Sequence, residues 1–226
     1  MSSSLSHHAL AMVLLSCLIL SYAAAEIPLD VDTIMQKMES AYAHINDYQT
    51  NVEVKTYKTD GSFETQKFLY TFKKPKRIRL DFESPHSGMV LIYPDKNGKV
   101  SVRPGGVTHI FQFHLSSGNP LIMGAFGQRI DQTDLGLLIE NISRSLTDQR
   151  RGQIEIEQDG HIRIRVLAVN HFQEGVLTRY QFFIDKDLWL PVKVKESSPD
   201  EELERTVIFE NLRMNTGVSD SFFQMD

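Results

Sequence analysis

Past residue 25 the chain contains no cysteine, because its single cysteine is Cys17. A domain starting there has no disulfide, no thiol nucleophile and no cysteine metal site, and must be held by its core alone. A basic surplus is also missing. The chain carries 24 Lys and Arg against 29 Asp and Glu, a formal net charge of −5. Phosphate binders usually carry a positive excess, so nucleic acid is not expected as a partner. The histidines do not converge. On a strand, His109 and His114 point to opposite faces, and His161 and His171 have no acid at metal-ligand spacing, so no metal is expected. No serine sits in a nucleophile elbow, no Gly-rich loop could cradle phosphate, and no two carboxylates stand out as an acid and base pair. Neither a catalytic residue nor a cofactor is expected.

An apolar run spans residues 9–22, and Ala23, Ala24 and Ala25 follow it. Small residues at those positions suit a signal peptidase, and the run falls short of the roughly 20 residues that cross a bilayer. Residues 1–25 are therefore expected to be a cleaved signal peptide and 26–226 a single exported domain. The n-region has no Lys or Arg, only His7 and His8. A second reading uses Leu14-Leu15-Ser16-Cys17 as a lipobox with Cys17 as a lipid anchor. The apolar residues Leu18, Ile19 and Leu20 after that cysteine favour simple cleavage. No later segment is long and apolar enough to span a membrane.

Two helices are predicted. Val31, Ile34, Met35, Met38, Ala41, Tyr42 and Ile45 form one apolar stripe, with Asp30 or Asp32 as its cap and Asn46-Asp47 as its end. Leu135, Leu138, Ile139, Ile142 and Leu146 form another, with Asp131 or Thr133 as its cap. Elsewhere the pattern alternates. Tyr48, Thr50, Val52 and Val54 lie on one face, and so do Phe68, Tyr70 and Phe72. Ile78, Leu80 and Phe82 continue the series, as do Ile162, Ile164 and Val166, then Tyr180, Phe182 and Ile184. Further strands are predicted over Met89–Tyr93, near Val100 and Ile110, from Leu190-Pro191 to Val194, and over Arg205–Arg213. Asp60-Gly61 and Asn97-Gly98 supply hairpin turns. Strict alternation means one dry face and one wet face. The expected fold is α+β: a single curved antiparallel sheet, an open half-barrel, covered by two helices and the apolar loop around Leu121, Ile122, Met123 and Phe126.

Three stretches carry a family resemblance. Residues 68–79 read FLYTFKKPKRIR, a strand ending in a basic-Pro pair. Residues 183–192 read FIDKDLWLPV. Residues 208–215 read IFENLRMN, with SDSF following at 219–222. Their order resembles the LolA/LolB family of lipoprotein carriers and its relatives, the LppX-type lipid carriers and the RseB-type stress sensors. The resemblance covers nearly the whole of residues 26–226. It implies an unclosed barrel with a helical lid, an apolar cavity for acyl chains and a periplasmic location. In the family an arginine of the basic-Pro turn latches the lid helices; the matching position here is Lys74, which keeps the charge but not the planar fork.

Under this reading the cavity wall comprises Val52, Val54, Phe68, Tyr70, Phe72, Ile78, Leu80, Phe82, Met123, Phe126, Leu138, Ile142, Ile164, Tyr180 and Phe182. Any of these can equally be ordinary core. Gly118, Gly124 and Gly127 are candidate hinges if the loop is a gate, whereas a loop that only plugs the sheet edge needs none. Lys74, Lys76 and Arg77, with Lys73 and Arg79, form a basic cluster. It is either a solvated strand face or a contact for the lid, anionic headgroups or an acidic partner. The expected function is a monomeric carrier, not an enzyme, that binds the acyl chains of a lipid or lipoprotein and touches a membrane or envelope partner transiently. The alternative is an RseB-like sensor in which ligand occupancy regulates a partner protein.

Overall fold

The structure is a computed structural model that describes residues 30–108, 111–147 and 155–225. Cys17, His109 and the expected signal peptide lie outside the described residues. Chain order runs α1 (Val31–Ala43), β1 (Asp47–Tyr57), β2 (Phe63–Lys73), β3 (Arg77–Ser84), β4 (Val90–Tyr93), β5 (Val100–Arg103) and β6 (Phe113–Leu115). It continues with α2 (Leu135–Thr147), β7 (Glu155–Asp159), β8 (His161–Val169), β9 (Leu177–Ile184), β10 (Pro191–Ser197) and β11 (Leu203–Met214). The strands form one 11-stranded sheet in the order β6-β5-β4-β3-β2-β1-β11-β10-β9-β8-β7. Every pairing is antiparallel, and the two edge strands do not pair with each other. This is the open half-barrel α+β fold that the alternating pattern predicts.

Among the described residues only the pairing of β1 with β11 joins distant parts of the chain, and there Val52 faces Phe209 and Val54 faces Val207. It brings the two meanders together, so the helix that opens each one lies on the same inner face. Asp30 caps α1 by accepting the Thr33 N–H at 2.7 Å. Ile34 and Met38 then lie fully buried, as the stripe requires. The helix stops at Ala43, and Asp47 already belongs to β1. The cap of α2 is neither Asp131 nor Thr133 but Asp134, whose carboxylate accepts the Leu137 N–H at 3.0 Å. The buried Tyr48 hydroxyl accepts a second free helix-end donor, the Leu135 N–H, at 2.9 Å. Tyr48 therefore fixes where α2 begins, a tertiary cause that local spacing cannot reveal.

At Gly136 the two helices come close. A Cβ there would lie 2.5 Å from the Tyr42 ring, so only glycine lets the ring pack against α2. The outer face is not uniformly wet either. Val90 and Ile92 on β4 point away from the helices, and Phe223 of the closing turn Asp220–Phe223 covers them. β7 was not expected from the sequence, and the strand anticipated near Ile110 is instead β6.

Candidate functional site

The inner face divides into a filled part and an open part. The filled part lies under α2. Tyr180, Phe182, Ile162, Ile164 and Ile142 are all 0% exposed there. The rings of Tyr180 and Phe182 stack at 5.3 Å. Tyr48 continues the packing in the first meander, stacked with Phe72 at 5.1 Å and with Tyr70 at 5.7 Å. Of the residues expected to line a cavity, Tyr70, Phe72, Ile78, Ile142, Ile164, Tyr180 and Phe182 lie buried in the core, and Val52 is buried with them. They carry the same alternation as wall residues, so the pattern could not separate the two groups.

The open part lies between β1–β4 and the loop that precedes α2. It is a cleft of about 220 Å³. Val54, Phe68, Leu80, Phe82 and Met123 line it, all of them expected, together with Leu91, Met89 and Ile122. The Phe68 and Phe82 rings lie 5.2 Å apart across paired strands. Leu121 of the covering loop is 85% exposed at the mouth. A pocket that buries a drug-sized ligand measures about 300–1,000 Å³, so this cleft takes a slim apolar group.

A polar set closes the inner end of the cleft, and periodicity gave no signal for it. Arg205, only 2% exposed, donates to Glu196 at 2.6 Å and to the Gln128 side chain at 3.0 Å. Its guanidinium sits 5.6 Å from the Phe126 ring and 5.4 Å from the Phe172 ring. Phe126 has φ of +61° and Gly127 +79°. The loop therefore turns through two left-handed residues, the first of them unfavourable for a side chain, and Arg205 holds it there through Phe126 and Gln128. Behind Arg205 lies a second hollow of about 50 Å³, whose lining includes Leu138, another expected wall residue.

His171 packs beside this hollow, stacked on Tyr180 at 4.2 Å, with Ser145 Oγ 2.7 Å from its Nε2. Burial, with added repulsion from Arg144 and Arg205, lowers its pKa to about 4. The imidazole is thus neutral in the folded protein at pH 6.5, where an unfolded histidine is half charged. Because the folded pKa is the lower one, the unfolded chain takes up the proton first. Stability is complete above pH 6.5 and falls as the pH drops toward 4. The expected loss is on the order of 1–3 kcal/mol, read as a falling urea midpoint across that window. The slope should flatten in His171→Phe; an equally steep slope in that variant would refute the assignment.

The basic cluster is mostly engaged internally. Lys74 Nζ donates to the Tyr42 and Ala43 carbonyls, each at 3.1 Å, and lies over the Tyr42 ring. It thereby satisfies the C-terminal carbonyls of α1. Lys73 and Arg77 pair with Asp220 at 2.7 and 2.8 Å. Arg79 binds Asp81 and the Phe222 carbonyl. Lys76 alone of the five is exposed with no partner among the described residues. Asp95, Ser101 and His114 also meet on the outer side, but both contacts, at 2.8 and 3.4 Å, use His114 Nδ1. A relay needs the two ring nitrogens in separate roles, and this arrangement does not provide that. Among the described residues no group of three or more His, Cys, Asp or Glu could hold a metal, and no helix is long and apolar enough to cross a membrane.

No family model and no curated protein matches the sequence. Solved structures do match. One is a DUF1329 family protein from Desulfovibrio piger, at 14% identity over 84% of this chain and 94% of that one, with a TM-score of 0.47. Another is a chain of the Pseudomonas aeruginosa MucA/MucB complex, at 14% identity over 85% and 60%, with a TM-score of 0.45. A third is a LolA superfamily protein from Nitrosomonas europaea, at 11% identity over 88% and 99%, with a TM-score of 0.39. Likenesses of this strength say nothing of ligand or partner.

Proposed function

We propose that the protein is an exported, periplasmic carrier that shields a single acyl chain of a lipid or lipoprotein in the cleft between β1–β4 and the loop before α2. The observation that supports this is an apolar cleft beside a packed core, roofed by a loop whose own apolar residues face it. Each methylene moved out of water contributes about 0.8 kcal/mol, so a chain binds without chemistry and leaves when a membrane offers the same gain. Gly118, Gly124 and Gly127 let the loop swing. Lys74 keeps α1 in place while it does so, in the role that the family resemblance assigns to the basic-Pro turn. The first meander supplies most of the cleft wall, and Arg205 of β11 closes its inner end.

The test is uptake of a fluorescent fatty-acyl probe by the purified domain. Phe68→Asp and Met123→Asp put a charge on opposite walls of the cleft, at half-buried positions the fold tolerates. Each should weaken uptake by at least about tenfold with an unchanged circular dichroism spectrum. Wild-type uptake in both variants would contradict the proposal.

A further inference from the structure

We infer that the 50 Å³ hollow behind Arg205 is a headgroup site, and that the ligand is an uncharged, hydroxyl-bearing acyl ester rather than a free fatty acid. This rests on the acyl-chain reading of the adjoining cleft. The two hollows share three lining residues, Gln128, Thr133 and Arg205. One is apolar and opens at the Leu121 mouth. The other is rimmed by Gln132, Asp134, Asn141 and Glu196. An amphiphile whose tail fills the first therefore presents its head to the second, across Arg205.

The charges of the lining decide which head fits. Arg205 already carries Glu196 on one nitrogen. Asp134 adds a second carboxylate, and His171 is neutral because burial holds its pKa near 4. The wall thus has two negative groups and one positive group, which repels a carboxylate. Acceptors for hydroxyl protons are in excess: the Glu196 and Asp134 carboxylates and the amide oxygens of Gln132 and Asn141. Both Arg205 Nη atoms are taken, by Gln128 and Glu196, so the wall offers a ligand acceptors for its hydroxyls rather than a free cation for a carboxylate. A hollow of this size holds a few waters or a group the size of glycerol.

The experiment is displacement of the fluorescent acyl probe from the full domain at neutral pH by 1-decanoylglycerol and by decanoate, both below their micelle concentrations. The glycerol ester should bind about tenfold tighter, the factor expected from one added hydrogen bond to a charged group. The double variant Arg205→Met/Glu196→Leu, which removes the Glu196 acceptor, should bring the two ligands within about twofold, and Gln132→Leu should narrow the preference by a smaller factor. Equal affinity in the wild type, or tighter binding of decanoate, would overturn the headgroup assignment and leave the carrier reading standing. Failure of both ligands to displace the probe would remove the carrier reading, and this inference with it.

Discussion

Phe182→Ala is expected to cost about 3–5 kcal/mol of folding stability, the range for deleting a fully buried aromatic ring. The ring is 0% exposed. It sits opposite Ile164 on β8 and Val194 on β10, stacked on Tyr180 at 5.3 Å with the His171 ring 6.3 Å away. Neither neighbouring strand can close over the hole, because both are locked in register by hydrogen bonds. The result should appear as a lower urea midpoint with an unchanged slope. Phe68→Ala makes the instructive contrast. That ring already borders open space, so its loss should cost about 1 kcal/mol and act mainly on ligand uptake. If Phe182→Ala proved as mild as Phe68→Ala, the second meander would be as hollow as the first, and the division of the inner face described above would be wrong.

The second large effect concerns charge. Arg205→Met removes the partner of Glu196, which is only 4% exposed. An uncompensated buried carboxylate typically costs about 3–5 kcal/mol. The double variant Arg205→Met/Glu196→Leu should recover most of that, since apolar side chains of similar volume often replace a buried ion pair at little cost. The pair should therefore be strongly coupled in a double-mutant cycle, by about 1–3 kcal/mol. Additive losses would mean that the two side chains do not share one desolvated environment. The Phe126 turn should loosen in either variant, because the guanidinium no longer holds it.

These two experiments bear on what the amino-acid order reveals. Alternation at Tyr180, Phe182 and Ile184, and at Phe68, Tyr70 and Phe72, places each residue on the inner face. It does not say which rings meet a helix and which meet a void, because that depends on where α2 crosses the sheet. The helix stripes were legible for the same reason as the strands. Local spacing misplaces the cap of α2 because Asp131, Thr133 and Asp134 all suit a cap, and the Tyr48 hydroxyl selects among the possible starts. Arg205 and Glu196 look like ordinary charges on antiparallel strands. Their burial becomes visible only when β10 pairs with β11 and puts them opposite each other. Lys74 was identified by its place in the basic-Pro turn, but its partners, the last carbonyls of α1, depend on tertiary approach. Phe223 gave no periodic signal at all, since it belongs to a single short turn.

Native mass spectrometry of the protein, released gently from cells that make their own lipids, tests the central claim most directly. The account predicts one bound acyl-bearing species per chain, lost in Phe68→Asp and retained in the folded double variant of the Arg205 pair. A wild-type protein that flies only at its bare mass, and stays so after incubation with 1-decanoylglycerol, would contradict it.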